Sequence, residues 1–185
     1  HVNYTISYWK KALASACKIF TSIDTSFVAA HRVPTIDGWD SAGQYFKSLG
    51  DESWNDFASM VVFDALICNE DRHLGNFGVL RNNQTGTITG MAPLFDHGVS
   101  LFNFADDNDM DNLDDYAKSR FHRSGSTFEH SIERVGALGE LQKQQLSKMI
   151  NFQFTQNSNS KYNLPTPRLR KIEQFLQYRM RQLLA

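Results

Sequence analysis

The stretch ICNEDRHLGNFGVL, residues 67–80, places a polar loop between two apolar segments, and the rest of the chain is interpreted from it. The flanking segments, FASMVVFDALIC (57–68) and FGVL (77–80), are apolar enough to be buried. A loop held between two buried elements is a place where a rigid scaffold presents reactive side chains. The sequence therefore predicts a functional site within residues 69–76.

A helix is predicted before this loop and a β-hairpin after it. Residues 51–68 begin with two acidic side chains and carry apolar residues at steps of three and four, which predicts a buried helix. The segments FGVLR (77–81) and TITGMAPLF (87–95) flank the turn-forming NNQTG and predict two short strands. The predicted site thus lies where a helix meets a small hairpin.

Most of the remaining chain is predicted to be helical. Apolar periodicity predicts further helices at residues 7–20, 39–49, 126–135, 138–152 and 166–184, with another short one near Asp24. Pro167 lies in the first turn of the last helix, which is a favourable position for proline. The expected fold class is α+β and mainly helical, with one small β-hairpin at the edge that carries the site.

Composition narrows the class of protein. A chain of 185 residues with 41% hydrophobic residues suits one compact domain, or two small lobes that share a core. The formal net charge of -1 argues against direct nucleic-acid binding. No apolar run approaches the ~20 residues that cross a bilayer. Cys17 and Cys68 lie in apolar sequence without a CxxC pattern, which predicts two buried, reduced thiols. A cytoplasmic protein that does not bind membranes is expected.

Two motifs in and after the loop match the chemistry of phosphoryl transfer. Asp71 and Asn76 have the spacing Asp-x-x-x-x-Asn, and Asp96 follows the hairpin at the head of Asp-His-Gly. In kinases an Asp orients the substrate hydroxyl, an Asn five residues later binds a metal ion, and a second Asp binds the metal that bridges the phosphates. Mg²⁺ prefers oxygen ligands such as those of Asn76 and Asp96. The three side chains are expected to converge.

The segments NEDRHLGN (69–76) and APLFDHGVSL (92–101) together resemble the C-terminal lobe of HipA-like serine/threonine kinases, the toxin kinases of bacterial toxin-antitoxin systems. The resemblance is strongest over residues 60–101. It implies that Asp71 is the catalytic base, that His73 organises the catalytic loop, and that Asn76 and Asp96 bind Mg²⁺ and, through it, ATP. It also implies a protein hydroxyl as phosphate acceptor and an antitoxin as a partner.

The lobe that covers ATP in a kinase is not recognisable in this sequence. Such a lobe needs a glycine-rich loop and a paired Lys, whereas Gly38, Gly43 and Gly50 form no such pattern and Lys10, Lys11 and Lys18 fall on the predicted helix 7–20. The chain also begins at His1 rather than Met. Residues 1–185 are therefore expected to form a single kinase C-terminal lobe whose ATP-covering lobe lies upstream or in a separate partner chain.

Several alternatives remain open at this stage. Asp71, Asn76 and Asp96 can serve as turn and cap residues, and His73 as a buried histidine bonded to backbone groups. The chain can be a non-catalytic, pseudokinase-like interaction module, since between residues 161 and 181 six basic residues accompany a single acidic one. A metal-dependent hydrolase would use Asp71, His73, Asp96 and His97.

The last alternative concerns the substrate. Phosphatidylinositol kinases share a similar Asp-Arg-His-x-x-Asn loop, so a lipid kinase lobe has to be considered. The segment 106–115 carries six aspartates and no basic residue. This run is expected to be a solvated, mobile loop at the position of a kinase activation segment. Its charge favours a basic protein substrate over an anionic lipid headgroup.

Overall fold

A computed structural model describes residues 1–120, 127, 130, 131, 133, 136, 138–158 and 160–185. Among these residues, five α-helices and five β-strands have defined bounds. The helices are α1 (Trp39–Ser48), α2 (Asp51–Leu66), α3 (Leu113–Ser119), α4 (Glu140–Met149) and α5 (Thr166–Leu184). The strands are β1 (Tyr4–Trp9), β2 (Ala12–Cys17), β3 (Thr25–Ala29), β4 (Gly78–Asn82) and β5 (Ile88–Met91). The fold is therefore mixed α/β with small sheets.

The chain divides into two compact units. Unit 1 comprises His1–Met60 and Arg72–Asp96, and unit 2 comprises Val61–Asp71 and His97–Ala185. Helix α2 and the polar loop that follows it contribute residues to both units. The expected organisation of residues 1–185 as one kinase C-terminal lobe stays a prediction.

The predicted helix at residues 7–20 is wrong, because this segment forms an antiparallel hairpin of β1 and β2. Lys10 and Lys11 form its turn, with φ angles of 49° and 67°. In a two-residue hairpin loop, positive φ at both residues gives a turn whose twist matches the twist of the two strands that it joins. The sequence Tyr-Thr-Ile-Ser-Tyr alternates apolar and polar residues as a strand does, and the alanines of β2 fit either period.

The second sheet has three antiparallel strands in the order β3-β4-β5. Strands β4 and β5 are the predicted hairpin. Strand β3 replaces the short helix expected near Asp24, and it pairs with β4 from Thr25 opposite Asn82 to Ala29 opposite Gly78. The β4–β5 hairpin of this sheet lies between Asn76 and Asp96 in the sequence, so the sheet holds the chain that connects these two residues.

Aromatic rings form the core of unit 1. Phe46 stacks on Phe57 at a centroid distance of 5.2 Å, and Phe77 lies 6.0 Å from Phe57 and 5.1 Å from Trp39. Phe46, Phe57 and Phe77 are almost completely buried. Rings of this size bury a large apolar area and pack in defined orientations, so they hold α1, α2 and the start of β4 together.

Unit 2 is built around α5. Phe175 meets Phe102 edge to face at 4.7 Å, and both belong to a buried apolar cluster with Leu113, Tyr116 and Ile172. Arg179 is buried in the same unit, where it donates to the carbonyl oxygen of Ala65 and to Sγ of Cys68. A buried guanidinium that is hydrogen-bonded in this way fixes α5 against the end of α2.

Three of the six basic residues near the C-terminus have structural contacts within unit 2. Arg179 is buried, Arg168 donates to the carbonyl oxygens of Phe102 and Ala105, and Lys171 pairs with Asp111. These three side chains are therefore held by contacts inside the unit.

The acidic run 106–115 forms a hydrogen-bonded turn and the first turn of α3. Its expected mobility stays a prediction. One carboxylate oxygen of Asp106 accepts the backbone N–H groups of Asn108 and Asp109, and Asp109 accepts the N–H of Asp106 in return. The Asn112 side chain caps α3 by accepting the N–H of Asp115. Aspartate and asparagine favour such local bonds in turns and at helix N-termini.

The other predicted helices and the two cysteines have mixed outcomes. The helices at 39–49, 51–68 and 138–152 are confirmed with shorter bounds, and the helix at 166–184 is confirmed with the predicted bounds. The helix predicted at 126–135 lies largely outside the described residues. Cys68 is buried as expected, and burial raises the pKa of its thiol to about 11. Cys17 is exposed, so the prediction for it is wrong.

In the described part of the chain, no helix combines the length and the apolar character that crossing a bilayer requires.

The contact between β3 and β4 generates a first testable prediction. A Cβ atom at Gly78 would collide with the carbonyl oxygen of Val28 and lie 2.8 Å from Cα of Ala29. Gly78→Ala should therefore lower the free energy of unfolding by about 3 kcal/mol, measured by urea denaturation.

Gly43→Ala is the matched control, because a Cβ there would make ordinary contacts with Phe57 and Trp54. In helix α1 that change should stabilise by up to about 1 kcal/mol. Equal stabilities would contradict the β3–β4 pairing.

Candidate functional site

The backbone of Asp71 is held by a buried asparagine within unit 2. The side-chain Nδ2 of Asn69 donates to the carboxylate of Asp64 on α2 at 2.9 Å, and its backbone N–H donates to the Asp64 carbonyl oxygen at 2.9 Å. The Oδ1 atom of Asn69 accepts the N–H of Asp71 at 3.2 Å. Asp64 and Asn69 are both buried. The end of α2 thus fixes the loop up to Asp71.

Glu70 connects this loop to the segment that follows the hairpin, again within unit 2. Its N–H donates to the carbonyl oxygen of Val99 at 3.0 Å. Its carboxylate accepts hydrogen bonds from Nε of Arg120 at 3.0 Å and from the hydroxyl of Tyr116 at 3.4 Å. Burial, and to a lesser extent the nearby Glu70 carboxylate, raises the pKa of Tyr116. The hydrogen bond to Glu70 raises the pKa of Arg120.

His73 shapes the turn that leads to Asn76. Its Nδ1 atom accepts the backbone N–H of Gly75 at 3.0 Å, so the neutral ring carries its proton on Nε2. The carbonyl oxygen of His73 accepts the N–H of Asn76 at 2.9 Å. A Cβ at Gly75 would lie 2.7 Å from the His73 ring, so a larger residue there would displace the ring. Both the ring and the backbone of His73 therefore take part in the hydrogen bonds of this turn.

Arg72 joins the two segments of unit 1 that carry the candidate metal ligands. The side chain is 1% exposed, and its Nη1 atom donates to the carbonyl oxygens of Asn76 and Phe95, each at 2.7 Å. Phe95 directly precedes Asp96. A single nitrogen therefore bonds to the backbone of one candidate ligand and to that of the neighbour of the other. Both bonds are charge-assisted, which makes them stronger than neutral ones.

Aromatic packing anchors the same two segments. Phe77 follows Asn76 and is buried in the aromatic core of unit 1. Phe95 packs edge to face on Phe27 of β3 at 5.3 Å and lies 5.6 Å from Phe20. The pairing of β4 with β5 continues beyond the strands, because the N–H of Ala92 donates to the carbonyl oxygen of Gly78 at 2.9 Å. Each candidate ligand thus has an anchored phenylalanine beside it.

Asp96 has an unusual backbone conformation. Its φ angle is 59°, in the left-handed region that aspartate tolerates better than most residues. Its N–H donates to the hydroxyl of Tyr4 at 3.1 Å, and its side chain is exposed. Strained backbone of this kind clusters at functional sites. The next residue, His97, belongs to unit 2 and packs edge to face on Phe63 at 5.4 Å.

The donor set of Asn76 and Asp96 suits Mg²⁺. Mg²⁺ binds hard oxygen atoms, is held by few protein ligands and keeps several of its waters, so one amide oxygen and one carboxylate fit this ion. No group of three or more His, Cys, Asp or Glu side chains that could hold a metal occurs among the described residues. Such a group is what the hydrolase alternative would require.

The structure brings together the backbone segments of Asn76 and Asp96 in unit 1, with His73 in the turn that precedes Asn76. Asp71 is the last residue of its segment in unit 2. The convergence of Asp71 with the other two side chains stays a prediction, as do the roles of all four residues. Sequence reasoning missed Arg72, Asn69 and Asp64. A polar or charged residue beside apolar neighbours could have indicated these positions. Asp64, for example, lies between Phe63 and Ala65.

The role of Arg72 generates a second prediction. Arg72→Met removes the donor from two carbonyl groups, so the free energy of unfolding should fall by about 3 kcal/mol in urea denaturation. Arg81→Met, at an exposed position of β4, is the matched control and should change stability by less than about 0.5 kcal/mol. If both variants were as stable as the parent, Arg72 would not hold the two segments.

Comparison with known proteins identifies a similar fold. The chain is similar to a Helicobacter pylori proinflammatory kinase, CtkA, with a TM-score of 0.54 and 17% sequence identity. The match covers 98% of this chain and 75% of that kinase. No protein-family profile matches the sequence, and no curated protein does. At this identity the comparison shows the fold alone, which is kinase-like.

Proposed function

We propose that this chain is the C-terminal lobe of a HipA-like serine/threonine kinase and takes part in transfer of the γ-phosphoryl group of ATP to a protein hydroxyl. The observation that carries the proposal is the link through Arg72, whose Nη1 bonds the carbonyl oxygens of Asn76 and Phe95 at 2.7 Å. A residue that only forms a turn or a cap does not need a second loop, 23 residues away in the sequence, beside it. A kinase needs two such segments close together, because ligands from both segments bind the metal ions.

Each predicted site residue has a separate role in the proposal. Asp71 orients the acceptor hydroxyl and takes its proton, and the bond from its N–H to Asn69 holds its backbone for this task. His73 keeps the turn before Asn76 in place through its bond to Gly75. Asn76 and Asp96 would hold Mg²⁺. When bound, the ion neutralises charge on the ATP phosphates.

The acidic run supports a basic protein as the substrate. Lys171 and Lys118 pair with Asp111 and Asp114. Asp106, Asp107, Asp109 and Asp115 add four further carboxylates, so the run keeps a net negative charge. A peptide with Lys or Arg near its Ser or Thr would be attracted to this surface, while a phosphoinositide headgroup would be repelled. An antitoxin, or a chain that supplies the ATP-covering lobe, is the expected protein partner.

The third prediction tests this function in the complete protein that contains the chain. With ATP and Mg²⁺, it should phosphorylate a basic Ser/Thr peptide, and Asp71→Asn and Asp96→Asn should each lower the rate at least about 100-fold. Asp40→Asn, an exposed acid on α1, is the matched control and should leave the rate unchanged. Thermal unfolding of all three variants separates loss of chemistry from loss of fold.

Three results would contradict the proposal. Full activity of Asp96→Asn would remove the metal-ligand role, and preferred phosphorylation of phosphoinositide vesicles would assign a lipid kinase. Absence of transfer by the unmodified, folded protein to any acceptor would favour the non-catalytic interaction module.

A further inference from the structure

The hairpin of β1 and β2 presents an apolar face to solvent. Tyr4, Ile6 and Tyr8 alternate along β1 and therefore lie on one face of the ribbon, and Leu13 of β2 is paired opposite Tyr8. The exposed fractions of Ile6, Tyr8 and Leu13 are 56%, 57% and 49%. Trp9, at the end of β1, lies on the opposite face of the ribbon and is 70% exposed. A contiguous apolar surface of this kind marks an interaction site more often than a solvated surface.

The strand edges of this hairpin have none of the usual protection against pairing. Edge strands are normally guarded by charged residues, proline or a bulge. The sequences of β1 (YTISYW) and β2 (ALASAC) contain neither charge nor proline, and their six residue pairs are in continuous register. Within the described residues no third strand joins the two. Since an isolated two-stranded ribbon is only marginally stable in water, an added strand would stabilise it.

The charge around the hairpin selects the chemistry of the partner. Lys10 and Lys11 lie in the turn, Lys18 follows β2, and all three are exposed. Residues 1–23 contain no aspartate or glutamate. A second copy of the hairpin would bring the same positive charges together, which disfavours self-pairing. An extended segment with carboxylates would be attracted to both ends of the ribbon.

We propose that the β1–β2 hairpin is a docking site for an acidic, extended segment of a partner protein, which adds to it as a further β-strand. In this mode of binding, backbone hydrogen bonds supply affinity and alternate side chains supply specificity. Apolar side chains of the added strand pack beside Ile6 and Tyr8 on one face. Carboxylates on the other face reach the lysines at the ends. The proposal does not depend on kinase activity.

The test is binding of a fluorescent ten-residue peptide in which valine or isoleucine alternates with glutamate, measured by fluorescence anisotropy with the full chain. A twin peptide with lysine in place of each glutamate is the control ligand. The acidic peptide should bind at least about tenfold more tightly than its twin, and its affinity should fall as salt is added. Lys10→Glu combined with Lys11→Glu should reverse the preference.

Two further variants locate the site. Ile6→Ser with Tyr8→Ser should lower the affinity for the acidic peptide at least about tenfold. Leu141→Ser, at a residue of α4 that is 63% exposed, is the matched control and should have no effect. Because the serine variants can disturb the hairpin itself, the lysine reversal, which leaves both strands unchanged, provides an independent test.

Four results would overturn the proposal. The first two are equal binding of the two peptides and no binding of the acidic peptide. The third is a dimer, detected by light scattering, that Ile6→Ser abolishes. The fourth is binding to anionic lipid vesicles that prevents binding of the acidic peptide. The third would assign the hairpin to a second copy of the chain, and the fourth to a membrane surface.

Discussion

The candidate site of unit 1 depends on one buried cation. Arg72 is removed from water, and a buried guanidinium is costly unless its donors are bonded. The carbonyl oxygens of Asn76 and Phe95 supply two of those bonds. In return, the guanidinium satisfies backbone groups in two irregular segments where no strand partner is available to do so. The same constraint explains why Phe77 and Phe95 are anchored in aromatic packing, since the two carbonyls can meet one nitrogen only if both segments are held.

The residue before Arg72 is constrained by a different set of contacts. Asp71 is held through Asn69 and Asp64, both of which belong to unit 2. Arg72 instead bonds to the carbonyl oxygens of Asn76 and Phe95, which belong to unit 1. The polar loop between α2 and β4 is therefore held by hydrogen bonds of individual side chains and not by regular secondary structure. Such side-chain networks specify one conformation when their polar groups are satisfied. This is the arrangement expected where side chains must be presented in a fixed geometry.

Sequence reasoning succeeded where periodicity is strong. Helices α1, α2, α4 and α5 and the β4–β5 hairpin follow from apolar spacing and turn residues. It failed at residues 7–20, because small residues such as the alanines of β2 satisfy both the helical and the strand period, and the Lys10–Lys11 turn lacks the usual Asn-Gly signal. Arg72 was not foreseen because its role depends on Phe95, which is 23 residues away in the sequence. The left-handed φ of Asp96 was likewise not predicted from the sequence.

If Arg72 sets Asn76 and Asp96 in place as proposed, the two side chains should bind one metal ion. The most direct measurement is a crystal structure grown with Mn²⁺ in place of Mg²⁺ and a non-hydrolysable ATP analogue, with the metal located by its anomalous scattering. An anomalous peak is expected at about 2.1 Å from Oδ1 of Asn76 and from a carboxylate oxygen of Asp96. A metal bound elsewhere, or contacting Asp96 while the Asn76 amide points away, would contradict it.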